Sequence, residues 1–273
     1  MTAVAQEPPR SGLTWRLMTA AVGIPVVIAL VWLGGPVFAI VVAVGLGIGS
    51  WEFQRALKLE HAPSSYLLVG VAAALALAAL AGEDAVLPVL TAGVLASLLL
   101  LIAGGVVPEH LAGWGLGLAG VLYVGLLGQH AVALRELDAG RDWLFLAIFT
   151  TFATDTGAYA VGRLLGRHKL APRISPGKTI EGSAGGLVAG AIAAWALGRL
   201  LGLGQPAAAM VALGVAASVA GQAGDLAESL IKRSAGVKDM GTIFPGHGGV
   251  LDRLDSLLFV IPLVYYAARW FFE

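Results

Sequence analysis

Nine apolar stretches of roughly 16 to 24 residues follow one another along this chain, and a helix needs about 20 apolar residues to cross the hydrocarbon core of a bilayer. They fall near 17–33, 36–54, 66–81, 86–104, 112–134, 143–162, 182–202, 207–221 and 251–271. Lipid offers backbone N–H and C=O groups no partner, so each stretch must close its hydrogen bonds internally, as a helix does. The expected fold is therefore all-α: a polytopic integral membrane protein with about nine transmembrane helices. Composition agrees, because 58% of the residues are hydrophobic and 12% charged, at a mean hydropathy of +0.85, and a water-soluble fold could not cover that much apolar surface. The first 13 residues are polar and contain Pro8 and Pro9, and no small-x-small cleavage site precedes Gly34, Gly35 and Pro36, so the first stretch reads as a span and not a cleaved signal peptide.

Charge placement supplies an orientation. With nine spans, Arg10, Arg16, Arg55, Lys58, Arg163, Arg167, Lys169, Arg173, Lys178, Lys232, Arg233, Lys238 and Arg253 fall on the N-terminal side, 13 of the 17 cations, against Arg135, Arg141, Arg199 and Arg269 on the other. The positive-inside rule then makes the N-terminus cytoplasmic and places the protein in the cell's inner membrane. Both long connections, about 163–181 and 222–250, face the cytoplasm on this reading. The chain has no Cys, which excludes disulfides, thiolate nucleophiles and Cys-based metal sites. Its 38 glycines lack a collagen-like period and read as small residues that let helices approach, including Gly45, Gly47, Gly49 and those between 113 and 128. The histidines outside the long loops have no metal-ligand spacing. Trp15, Trp51, Trp143 and Trp270 lie near span ends, where an interfacial aromatic belt accounts for them.

Chemistry concentrates in two stretches. In the second, Asp225, Glu228 and Lys232 share one face of a helix end at three- and four-residue spacing, with Ser229 and Arg233 beside them. Lys238 and Asp239 follow, then a Gly-rich loop carrying His247, Gly248 and Gly249, whose backbone N–H groups can approach phosphate oxygens. The next helix opens with Asp252, Arg253 and Asp255, near a terminus that favours negative side chains and also binds phosphates. A solvated loop between charged helix caps is the plainer reading, but the density of Asp, Lys, Arg, His and Gly exceeds what capping needs. In the first stretch, Asp155 lies inside an otherwise apolar helix, and an intramembrane carboxylate is by default a functional candidate. Ser175, Pro176, Gly177, Lys178 and Thr179 follow. Gly177-Lys178-Thr179 is not a Walker A motif, since Pro172 occupies the first Gly position and no strand is expected before it. The cluster reads as an anchored phosphate-binding loop, with a plain positive-inside turn as the competing account.

Such residues suit transfer between phosphates. Joining a nucleoside triphosphate to a phosphomonoester gathers about six negative charges in one pocket. Lys and Arg neutralise part of that charge, and Mg²⁺ held by carboxylates such as Asp225, Asp252 and Asp255 bridges phosphate oxygens. A phosphomonoester is already ionised near neutral pH, so positioning and electrostatics carry catalysis and no Ser or Cys nucleophile is required.

The run from Ser229 to Asp255, with Lys232-Arg233, Lys238-Asp239 and His247-Gly-Gly-Val-Leu-Asp-Arg-Leu-Asp, closely resembles the signature of phosphatidate cytidylyltransferases, the CDP-diacylglycerol synthases. Gly224-Asp225-Leu-Ala-Glu228-Ser, Asp155-Thr-Gly-Ala-Tyr and Ser175-Pro-Gly-Lys-Thr-Ile-Glu-Gly look like that family too. The resemblance is strong over residues 120–273, the catalytic helices and loops of a single membrane-embedded domain, and over 1–110 it is mainly one of hydropathy. It implies a Mg²⁺-dependent reaction of CTP with phosphatidic acid, giving CDP-diacylglycerol and pyrophosphate. It also implies metal ligation at Asp225 and Asp252, a second metal ion as an open question, and a homodimer in the lipid bilayer, with no nucleic-acid partner. Asp225, Asp252, Lys232, Arg233 and Lys238 are the catalytic candidates. Asp155, Ser175, Lys178, Thr179, Glu228, Ser229, Asp239, His247, Gly248, Gly249, Arg253 and Asp255 are the substrate-binding candidates. A CTP-dependent polyprenol or phytol kinase is the related alternative and would release CDP. A secondary transporter would account for Asp155, but the two halves show no inverted hydropathy repeat.

Overall fold

A computed structural model describes residues 12–59, 64–105, 108–243 and 248–272. Four helices open the chain, α1 (Gly12–Leu33), α2 (Gly35–Ala56), α3 (Ser65–Ala81) and α4 (Glu83–Ala103). Helix α5 (Pro108–Gly120) runs through a π-helical segment, Val121–Leu126, toward α6 (His130–Arg135), and α7 (Gly140–Leu165) follows. Strands β1 (Lys169–Ala171) and β2 (Ser175–Thr179) lead into α8 (Ile180–Leu200) and α9 (Ala207–Ala235). The chain closes with α10 (Leu251–Leu254), α11 (Leu257–Ala267) and a second π-helical turn, Ala268–Phe272.

Among the described residues, six helices are long and apolar enough to cross a membrane: Gly35–Ala56, Glu83–Ala103, Glu109–Arg135, Gly140–Leu165, Ile180–Leu200 and Ala207–Ala235. Three apolar helices are shorter, Ala21–Leu33, Ser65–Ala81 and Leu257–Phe272. Their exposed surfaces are those of a membrane protein. On α4 only 11% of the apolar window is buried, and Leu87, Leu95, Leu99 and Ile102 point outward, which water would penalise and lipid does not.

Two features depart from the sequence reading. The sequence predicts no strand before Pro172, yet β1 precedes it and pairs antiparallel with β2, Lys169 with Thr179 and Ala171 with Ser175, so among the described residues the fold is helical with one small hairpin. The span expected at 207–221 continues to Ala235, 29 residues in all, because nothing between Gly221 and Lys232 breaks a helix and the charged residues there fall on one face. The helix ends at Gly236, whose φ of 71° is the left-handed cap conformation that a side chain disfavours.

Small residues hold α7, α8 and α9 together. The Thr154 and Ser218 hydroxyls hydrogen-bond between α7 and α9 at 2.8 Å, and Gly190 of α8 lies directly against both, where a Cβ would collide with them. Gly157 of α7 approaches Ala189 and the Gly185 carbonyl of α8 in the same way. Within lipid, where no hydrophobic drive separates helix from solvent, such close approach supplies the dispersion contacts that hold helices together. Buried Trp143 stacks on Phe272 with centroids 5.3 Å apart and planes 10° from parallel, tying α7 to the chain's last turn. This packing brings the end of α9, the hairpin before α8, and α10 into one neighbourhood.

Candidate active site

The cluster is built outward from α9. Residues 225, 228 and 232 project from one side of that helix, as the i,i+3 and i,i+4 spacing dictates. Lys232 Nζ lies 2.6 Å from Glu228 Oε2 and 2.9 Å from Asp252 Oδ1, so one ammonium joins α9 to α10. The Glu228 side chain is wholly buried, and those of Asp252 and Lys232 are 3% and 16% exposed. Asp252 Oδ2 accepts the backbone N–H groups of Met240 and Gly249 at 2.8 Å each, and of Gly241 at 3.4 Å. Met240 and Gly241, which follow α9, and Gly249, which precedes α10, therefore surround the Asp252 carboxylate. Gly248, at φ 83°, passes so close to Asp252 that a side chain there would crowd its carboxylate. Burial alone would raise the Asp252 pKa, but the Gly249 N–H, the Lys232 ammonium and the Met240 N–H outweigh it and hold the carboxyl below the usual range.

A second pair lies beside the first. Lys178 Nζ of β2 sits 2.7 Å from Asp225 Oδ2, and Ser229 donates to Asp225 Oδ1 at 3.3 Å. The Lys178 and Asp225 side chains are 23% and 34% exposed, so this pair is more open than the Lys232 network. Lys178 is placed there by its hairpin. The Thr179 hydroxyl caps α8 by accepting the Gly182 N–H at 3.1 Å, and Glu181 accepts the N–H groups of Arg167 and His168 and pairs with His168 Nδ1 at 2.6 Å. Arg233 Nε donates to the Ile174 carbonyl at 3.3 Å and so fixes the hairpin turn to α9.

Asp155, Asp225 and Asp255 act on one another electrostatically, with Lys178 and Arg253 opposing them at Asp155. Burial raises the pKa of Asp255, the Asp225 charge raises it further, and the Ser256 N–H, Lys232 and Arg253 oppose the rise. Two buried oxygens, Glu228 Oε1 and Tyr123 Oη, have no hydrogen-bond partner among the described residues. Tyr123 stands on the π-helical segment between Phe53 and Phe259, within electrostatic reach of Glu228, Asp255 and Asp225.

Of the sequence candidates, the structure thus joins Glu228, Lys232, Gly249 and Asp252 in one network and Lys178, Asp225 and Ser229 in a neighbouring one, with Gly248 crowded against Asp252 and with Asp155, Arg253 and Asp255 acting on the cluster electrostatically. Thr179 is buried as a helix cap, and Ser175 is a strand residue opposite Ala171. Lys238, Asp239 and Arg253 are exposed at its rim. His247 lies outside the described residues. Two site residues escaped the sequence reading. Tyr123 carries no local signal, being one more aromatic in an apolar run. Glu52 did carry one, an acid within an apolar span, the same argument that singled out Asp155. It is 1% exposed and accepts the N–H groups of Val250 and Leu251 at 3.1 and 2.9 Å.

Comparison with known proteins places the chain among cytidylyltransferases. The chain is 44% identical over 151 residues to the phosphatidate cytidylyltransferase of Bacillus subtilis (strain 168), a match covering 55% of this chain and 56% of the relative. It is 44% identical over 147 residues to the phosphatidate cytidylyltransferase of Staphylococcus haemolyticus (strain JCSC1435) and 43% identical over 147 residues to that of Staphylococcus aureus (strain COL). In each of these matches the chain spans about half of the relative's length, 56%. The profile of the Cytidylyltransferase family matches residues 14–271, nearly the whole sequence, and the chain belongs to that family.

Proposed function

We propose that this protein is a phosphatidate cytidylyltransferase that makes CDP-diacylglycerol at the cytoplasmic face of the inner membrane. The observation that carries the reading is the meeting of Lys178–Asp225 with Glu228–Lys232–Asp252 at the end of α9, a dense array of both charge signs between membrane helices. An oxygen of the lipid phosphomonoester attacks the α-phosphorus of CTP, the new P–O bond forms as the bond to the β-phosphate oxygen breaks, and pyrophosphate leaves. The nucleophile is already ionised near neutral pH, so no residue is needed to remove its proton. Lys178, Lys238 and Arg253 supply positive charge to the phosphates, and the buried Lys232 network fixes the loop that faces them.

A divalent cation fits these residues. Among those described, no three His, Asp or Glu side chains converge as a complete ligand set, but Mg²⁺ is commonly held by one or two carboxylates together with substrate phosphates. The buried Asp255 carboxyl, whose charged form burial and the Asp225 charge disfavour, and the unpartnered Glu228 Oε1 are what a cation would relieve. Asp225 is the more accessible ligand. Asp252, held here by Lys232 and three backbone N–H groups, would be the second ligand. Bound there, Mg²⁺ would neutralise charge that develops on the phosphate oxygens. A homodimer with cytoplasmic loops completes the proposal, which rests on the family and on the cation distribution.

The test is purified protein with CTP, Mg²⁺ and phosphatidate in mixed micelles, followed for pyrophosphate and lipid product. Equal amounts of pyrophosphate and CDP-diacylglycerol are expected. Release of CDP with a phosphorylated lipid alcohol as product would overturn the proposal in favour of a CTP-dependent kinase.

A further inference from the structure

Glu52 stands on α2, 199 residues from Leu251. Its side chain reaches the turn that opens α10. Oε1 accepts the Val250 N–H at 3.1 Å and Oε2 the Leu251 N–H at 2.9 Å. Residue 252 is held from the other side, by Lys232 and by three loop N–H groups. Three consecutive residues, Val250 to Asp252, are thus clamped between α2 and α9. Gly241 and Gly249 both lie against the Glu52 carboxylate, and a Cβ on either would collide with it. Gly241 and Gly249, which donate to Asp252, therefore enclose Glu52 as well.

A buried carboxylate is costly unless strong hydrogen bonds satisfy it, and an apolar residue would pack between helices without that cost. What a carboxylate offers that an apolar residue does not is a pair of directed acceptors for two adjacent N–H groups. Those groups fix the direction of the first turn of α10, and hence where Asp252, Arg253 and Asp255 point. We infer that Glu52 is a positioning residue for the reaction proposed above, acting through the backbone at 250–251 to set Asp252 and Asp255 against the α9 carboxylates. The inference rests on that proposed function for its kinetic part and on geometry alone for its structural part.

The experiment compares the full-length protein with Glu52→Gln, Glu52→Ala, Gly241→Ala and the Glu52→Ala/Gly241→Ala double variant. Gln keeps the size but turns an N–H toward one of the two donors, and the Gly241→Ala methyl displaces the carboxylate without removing it. A misplacement of about 1 Å costs on the order of a hundredfold in rate, so kcat should fall between about ten- and a hundredfold in each single variant, with KM for CTP within about threefold. Amide exchange at 250–251 should accelerate while the melting temperature in detergent holds within a few degrees. The double variant should be no slower than the worse single one, because both act on one contact. A Glu52→Gln enzyme with near wild-type kcat, or a rate loss that only follows loss of folded protein while exchange at 250–251 is unchanged, overturns the inference. If the wild type itself releases no pyrophosphate, the proposed function falls, and exchange at 250–251 alone decides whether Glu52 holds the turn.

Discussion

Replacing Lys232 by Met tests the centre of the cluster. The ammonium sits between Glu228, wholly buried, and Asp252, 3% exposed, and it is itself 16% exposed, so solvent screens the network weakly. Met fills nearly the same volume but leaves two carboxylates facing each other with no cation between them. Removing one member of a buried ionic network costs about 3 to 5 kcal/mol, most of it the penalty of stranding the remaining charge. Asp252 keeps its three backbone donors, whereas Glu228 loses the one hydrogen-bond partner it has among the described residues and already has one oxygen unpaired, so Glu228 should carry most of the loss. For a chain of this size the expected fall in melting temperature is on the order of 10 °C. Adding Glu228→Gln to Lys232→Met removes the stranded charge and should recover more than half of the loss. The assay is thermal unfolding of purified protein in one detergent, read by tryptophan fluorescence. A Lys232→Met protein that melts within about 2 °C of wild type yet binds CTP poorly would refute this account and return Lys232 to the direct phosphate contact expected from sequence.

Other substitutions separate chemistry from stability. Asp225→Asn should lower the rate of pyrophosphate release by about a hundredfold or more, with little change in melting, because the Asp225 side chain is 34% exposed and pairs with Lys178 and Ser229; an unchanged Mg²⁺ titration would remove it from the metal site. Thr179→Ala should cost about 1 kcal/mol through loss of the α8 cap, and Thr179→Ser should restore it, whereas a substrate contact would show instead as a raised KM with unchanged melting. Cysteines at Arg173 and Ser234, both exposed, should react with impermeant reagents only in inside-out vesicles; labelling of intact cells would reverse the orientation.

Much of the architecture was legible in the sequence because it depends on local quantities. A membrane helix must close its own hydrogen bonds, so apolar length announces it, and the shared face of Asp225, Glu228 and Lys232 follows from helical period alone. The paired charges of the last loop were legible as a site because capping and topology do not need so many. What each group does there was not. Lys178 meets Asp225 because a hairpin, capped by Thr179 and pinned by Glu181, carries it across to α9. Lys232 reads in the sequence as a phosphate ligand, and the structure pairs it with Glu228 and Asp252 between two helices, a placement set by packing and not by residue type. Glu52 reaches Leu251 across 199 residues, and no period or spacing connects positions that far apart. Sequence thus determined which segments are apolar enough to enter a membrane and which charged residues cluster between them. The tertiary structure alone decided which charge pairs with which, because that depends on packing between helices whose glycines, such as Gly190, permit one close approach and no other.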